Sequence, residues 1–147
     1  MGGHPWFYFV GFEPDVGAAL RKLREREFRA GRYNPAVAFP IFPVGPHSPA
    51  PGAQHDSIEE ALEESDADGT RSILDMGRVA DEPDYGVVAP LPSEELINLF
   101  GTDRPTREMV EGSDELFEAL ERGQGVYLVV YEGGRPSEIF FAGYSFD

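Results

Sequence analysis

Two apolar runs near the C-terminus constrain the fold more than any other feature of the chain. Residues 126–131 and 138–144 are rich in β-branched and aromatic side chains, and residues 132–136 between them include two adjacent glycines. Such runs on either side of a glycine-containing loop predict a β-hairpin. The first run is apolar at every position, which is typical of a strand that is covered on both faces. We therefore expect this strand to lie centrally in a sheet.

The remainder of the chain predicts helices and strands that complete one α+β fold. Strands are predicted at residues 6–12, 70–76 and 86–89, and helices at residues 14–30, from Ser57 onward, from Ser93 to Phe100, at 106–110 and at 113–122. Ser57 with Glu60 has the spacing of a capping box, and Ser93 is predicted to cap the third helix. We expect a single α+β domain over residues 1–147, with helices packed on a mostly antiparallel sheet that includes the C-terminal hairpin.

A proline-rich stretch at residues 33–55 is predicted to form an ordered loop. Pro40, Pro43, Pro46 and Pro49 recur at every third position, so a polyproline II helix would align them as one ridge. The stretch is interpreted as a stiff connector, as a ligand for an aromatic groove, or as the wall of a binding site. The groove-ligand interpretation lacks the flanking positive charge that such ligands carry.

Candidate catalytic groups are few, and they lie within or beside this loop. The candidates are His47, Ser48, His55 and Asp56. Their closeness in sequence does not make them hydrogen-bonded partners, and no Gly-x-Ser-x-Gly motif accompanies them. The absence of cysteine excludes thiol catalysis, disulfides and cysteine-ligated zinc. Whether the protein is an enzyme therefore stays open.

No cofactor or metal site is predicted from sequence motifs. Phosphate-binding glycine loops and paired metal-binding histidines are absent from the sequence. Residues 64–75 resemble a calcium-binding loop in the spacing of their acids, but the first and last positions hold the wrong carboxylates. We interpret this segment as a turn.

Charge is unevenly distributed along the chain. The formal net charge is −15; residues 1–34 carry 6 bases and 4 acids, whereas residues 35–147 carry 6 bases and 23 acids. Such a field repels nucleic acid and anionic membranes and attracts basic proteins. Adaptation to salt is an alternative explanation of the acidity. The bases of the first helix are expected on a solvated face, with Arg21 paired to Glu25, or in a docking patch for an acidic ligand.

These observations predict a small acidic cytoplasmic interaction protein, of the inhibitor or immunity type, that binds a basic partner protein. The cytoplasmic expectation follows from the lack of cysteine, of a basic leader and of a transmembrane-length apolar run. The predicted contact residues are Glu59, Glu60, Glu63, Glu64, Asp66 and Asp68, with Arg71 as a further binding candidate. The alternative is a small-molecule-binding protein or small enzyme whose site is walled by the proline-rich loop and uses His47 and His55.

Overall fold

A five-stranded mixed sheet with helices on both faces forms the α+β domain predicted from the sequence. The computed structural model describes residues 4–34, 36, 48–66 and 69–146. The strands are β1 (Pro5–Gly11), β2 (Arg78–Val79), β3 (Val87–Pro90), β4 (Gly125–Glu132) and β5 (Arg135–Tyr144). The helices are α1 (Val16–Ala30), α2 (Ile58–Glu64), α3 (Ser93–Phe100), α4 (Arg107–Glu111) and α5 (Glu115–Glu118), with a short 3-10 helix at Ile73–Asp75.

The predicted C-terminal hairpin is confirmed, and its turn is shorter than expected. The strand order is β1-β5-β4-β3-β2, so β4 is the central strand, as its uniformly apolar sequence predicted. The long pairings of β5 with β1 and β4 are antiparallel, whereas β3 pairs in parallel with β4 and β2. Gly133 and Gly134 have φ of 61° and 78°, which lets two residues close the turn where five were predicted.

Alternating side chains of the sheet build two hydrophobic clusters, one on each face. Phe141 belongs to a cluster with Trp6 and Tyr8 that is covered by Leu20 and Leu23 of α1. Its neighbour Phe140 points to the opposite face, as the two-residue period of a strand requires. There it packs in a cluster that includes Leu96 of α3, Val110 of α4 and Leu116 of α5.

The strand predicted at residues 70–76 is wrong, because local hydrogen bonds fold this segment into a loop. The Asp75 carboxylate accepts from the backbone N–H of Thr70 at 2.7 Å and from its hydroxyl at 2.8 Å. Arg71 has φ of 56°, a left-handed conformation that is incompatible with an extended strand. Ile73–Asp75 is a 3-10 helix, and the Ser72 hydroxyl caps it by accepting from the N–H of Leu74.

Helix boundaries also differ from the sequence prediction, most clearly for α3 and α5. Ser93 is the first residue of α3 and Pro92 occupies the N-cap, so no side chain caps this helix. Helix α5 covers Glu115–Glu118, which is less than half of the predicted 113–122. In contrast, Ser57 caps α2 as predicted, with its hydroxyl accepting from the N–H of Glu60 at 3.2 Å.

These two serines give a matched test of helix capping. Replacing Ser57 by alanine is expected to lower the free energy of unfolding by about 1 kcal/mol, because the first turn of α2 loses its acceptor. Ser93→Ala is the control, since this side chain makes no cap bond, and it is expected to change stability by less than about 0.5 kcal/mol. Urea unfolding of both variants measures the difference; equal losses would contradict this assignment of the caps.

Candidate interaction surface on helix α2

Helix α2 turns a small apolar face to the protein and an acidic face to solvent. Ala61 is fully buried in a cluster with Phe28 and Leu74, and Ile58 packs against that cluster. The periodicity of a helix places the intervening residues on the opposite side. The exposed acids are Asp56, Glu59, Glu60, Glu63, Glu64 and Asp66. We call this row the α2 acidic surface.

Most of this negative charge is not neutralised by neighbouring side chains. Among the residues that the structure describes, no salt bridge involves Glu59, Glu60, Glu63 or Asp66. Some acids of α1 and α4 are paired within their own helix, as Glu25 is with Arg29 and Glu111 with Arg107. Arg24 feels the field of Glu59: burial lowers the pKa of this guanidinium, and the negative charges of Glu59 and Asp75 partly offset that effect. The charge of the α2 acidic surface is therefore available to a partner.

His55 fastens the start of α2 to the segment that follows α1. Only 6% of its side chain is exposed, and both ring nitrogens have protein partners. Nδ1 lies 2.8 Å from the Tyr33 hydroxyl, and Nε2 is hydrogen-bonded to the Glu64 carboxylate. The Tyr33 oxygen also accepts from the backbone N–H of Gln54 at 3.3 Å. Because a carboxylate can only accept, Nε2 is the donor in the bond to Glu64. Burial raises the pKa of Tyr33, which keeps its hydroxyl protonated.

The chain before α2 is docked on the C-terminus of α1. The N–H groups of Gly52 and Ala53 donate to the carbonyls of Ala30 and Arg29 at 2.8 and 3.1 Å. They satisfy carbonyl groups that the end of a helix leaves without internal partners. Gly31 ends α1 with φ of 75°, and a Cβ there would lie 2.7 Å from the carbonyl carbon of Gly52 and nearer still to its oxygen. Only glycine can be accommodated at position 31, where the end of α1 lies against the backbone of Gly52.

The candidate residues of the proline-rich loop are only partly described. His47 and Asp68 lie outside the described residues, as do Pro40, Pro43 and Pro46. The carbonyl of Ser48 accepts from Arg32 Nε at 3.3 Å. Both ring nitrogens of His55 are hydrogen-bonded and its side chain is buried, so this residue anchors α2. A site that combines His47 with His55 stays a prediction.

Residues 69–75, the described end of the segment that resembles a calcium-binding loop, are folded into a turn by their own side chains. Asp75 is directed inward to Thr70, and Arg71 is partly buried in the same turn. Within residues 4–34, 36, 48–66 and 69–146, no group of three or more histidines and acids is placed to hold a metal ion.

A second charged surface lies on the solvent side of α1. An open depression of about 500 Å³ is lined by Arg21, Lys22, Glu25, Arg26 and Arg29. The predicted pairing of Arg21 with Glu25 is replaced by a pair between Glu25 and Arg29, at 2.8 Å. Lys22 reaches Glu13, and Arg26 reaches the buried Glu27. Three of the four cations are therefore already paired within the protein, as expected for a solvated helix face.

Sequence reasoning found the acids of α2 and missed the contacts that hold them in place. The bonds from His55 to Tyr33 and Glu64 join residues 22 and 9 positions apart, and no spacing rule connects them. The glycines at 31 and 52 were the available signal for a close backbone approach, but a sequence does not say which two glycines meet.

Comparisons with known proteins leave the function to be inferred from this geometry. No protein-family model, curated protein or solved structure matches the chain. In the described part of the chain, no helix is both long enough and apolar enough to cross a membrane; the longest, α1, has 15 residues.

Proposed function

We propose that this protein is a small acidic interaction protein that binds a basic partner protein through the α2 acidic surface. One observation carries the proposal: Glu59, Glu60 and Glu63 project from α2 into solvent without ion-pair partners among the described residues. A net charge of −15 adds a long-range field that accelerates encounter with a basic protein.

The contacts that hold α2 in place support the same function. Its N-terminus is capped by Ser57, its inner face is anchored by Ala61, and Glu64 is tied to His55. A surface that is already ordered loses less conformational entropy when a partner binds. Carboxylates on this helix therefore present a defined pattern of charge.

The proposed setting is the cytoplasm, and the proposed class is an inhibitor or immunity-type protein. A chain without cysteine suits a reducing compartment, and strong negative charge disfavours nucleic acid and anionic membranes as targets. A protein that neutralises a basic effector needs a complementary charged surface and no catalytic centre of its own.

A capture experiment with matched charge variants tests the proposal. Immobilised protein is expected to retain a basic protein from native extract at low salt and to release it at high salt. Glu59→Gln with Glu60→Gln is expected to reduce this capture strongly. The control is Glu94→Gln with Glu95→Gln, which removes the same charge from the first turn of α3 and is expected to leave capture nearly unchanged.

Two results would contradict the proposal. Equal loss of capture in the two double variants would show that only the overall charge matters. Failure to retain any basic protein, together with stability that rises continuously to molar salt, would favour salt adaptation as the reason for the acidity.

A further inference from the structure

Two aromatic side chains are stacked on the surface beyond the end of α2. The rings of Tyr85 and Phe146 have centroids 6.3 Å apart and are inclined by 27°. Tyr85 is 67% exposed and Phe146 is 37% exposed, so neither ring serves mainly to fill the core. Both sit against the bare backbone of Gly123, where a Cβ would lie 2.5 Å from Tyr85 and 2.7 Å from Phe146. Glycine at this position therefore lets the two rings seat side by side.

This aromatic pair adjoins the α2 acidic surface. Phe146 packs against Gly69, where a Cβ would lie 2.8 Å from its ring. The N–H of Gly69 donates to the carbonyl of Ser65 at 2.6 Å, and Ser65 is the C-cap of α2. The pair is thus joined through two residues to the end of the helix that carries the proposed binding site.

The loop that carries Tyr85 is acidic. Residues 80–86 contain Asp81, Glu82 and Asp84 and no base, and all three acids are exposed. Asp84 accepts from the N–H of Tyr85 at 2.8 Å, so its carboxylate is held beside the residue that bears the ring. Arg78 and Arg122 are exposed on adjoining elements, so an incoming cation competes with them for these carboxylates. The acids alone therefore attract a cation only weakly, and the aromatic rings have to supply the preference for one kind of cation over another.

Elsewhere the protein uses its own arginines to cover aromatic rings. Arg107 lies 4.1 Å from the centroid of Phe9, and Arg104 lies 5.7 Å from that of Tyr131. Among the described residues, no cation lies over Tyr85 or Phe146 in this way. A planar guanidinium stacks on such rings and pairs with carboxylates at its edge, whereas an ammonium is more strongly hydrated and has no flat face.

We propose that the Tyr85–Phe146 pair binds the guanidinium group of an arginine side chain from the partner protein. This inference rests on the proposed function and specifies its partner: a basic protein that presents an arginine-rich segment. The segment lies along the α2 acidic surface and places one arginine on the exposed ring of Tyr85, with the carboxylate of Asp84 beside it.

Peptides of about ten arginines or about ten lysines, of equal length and charge, test this inference at near-physiological salt. The wild-type protein is expected to bind the arginine peptide more tightly. Tyr85→Leu keeps apolar area and removes the ring, so it is expected to weaken arginine-peptide binding by roughly two- to five-fold. Its binding of the lysine peptide is expected to stay the same. Tyr131→Leu, which removes a ring already covered by Arg104, is the control and is expected to keep the wild-type preference.

The outcomes separate this inference from the proposed function. Equal wild-type affinity for the two peptides, or an arginine preference that survives Tyr85→Leu, would overturn the inference. If Glu59→Gln with Glu60→Gln weakened neither peptide, the proposed function of the α2 acidic surface would fail instead. Loss of the preference in Tyr85→Leu alone, with both peptides weakened by the α2 variant, supports both.

Discussion

Replacing Gly31 by alanine is expected to lower the free energy of unfolding by about 3–4 kcal/mol. Its φ of 75° costs about 1–2 kcal/mol for a residue with a Cβ. That Cβ would also lie within 3 Å of backbone atoms of Gly52, so the docked segment has to move. Displacement breaks the bonds from Gly52 and Ala53 to the end of α1, each contributing about 1 kcal/mol.

Gly101→Ala is the matched control, and it separates backbone strain from the lost contact. Gly101 ends α3 with φ of 77°, and no atom lies within 4 Å of the position a Cβ would take. The strain of about 1–2 kcal/mol is therefore the whole expected cost. Urea unfolding measures both variants. Equal losses of stability would show that the contact between Gly31 and Gly52 contributes nothing.

Replacing His55 by alanine is expected to cost about 3 kcal/mol of stability. The change removes the hydrogen bonds to Tyr33 and to Glu64 and opens a cavity at a side chain that is only 6% exposed. Because the lost bonds fasten α2, amide hydrogen exchange in α2 is expected to accelerate more than exchange in β4 and β5.

Two further variants test the assigned role of His55. Asp56→Ala alters the exposed neighbouring residue and is expected to change stability by less than about 0.5 kcal/mol. Tyr33→Phe combined with His55→Ala should cost less than the sum of the single changes, because both remove the same hydrogen bond. Strict additivity, or a His55→Ala variant as stable as wild type, would contradict an anchoring role.

The sheet was predictable because its signals are local or strongly patterned. The apolar sequence of β4 required cover on both faces, and the two glycines of the turn fixed where the hairpin reverses. The strand predicted at residues 70–76 was wrong because the side chains of Asp75 and Ser72 accept hydrogen bonds from nearby backbone groups. These local bonds override the β propensity of the segment. The prediction that Ser93 caps α3 was wrong because a serine that is the first residue of a helix cannot be told from an N-cap serine by sequence.

The charge of the candidate site could be predicted from the sequence, but the contacts that hold the site in place could not. Helical periodicity was sufficient to place Glu59, Glu60 and Glu63 on the solvent face of α2. The anchoring role of His55 depends on its hydrogen bond to Tyr33, which is distant in sequence. The aromatic pair likewise brings together Tyr85 and Phe146, which both pack against Gly123. Contacts of this kind are set by the tertiary fold, which spacing along the chain does not encode.

Carboxylate footprinting tests most directly whether the α2 acidic surface is the binding site. The protein is labelled with a carbodiimide and a small amine, alone and with the arginine peptide at near-physiological salt, and labelling is read by mass spectrometry. Binding is expected to protect Glu59, Glu60 and Glu63, while Glu94 and Glu95 of α3, which are also exposed, keep their labelling. Protection spread evenly over both helices, or confined to α3, would contradict the proposal.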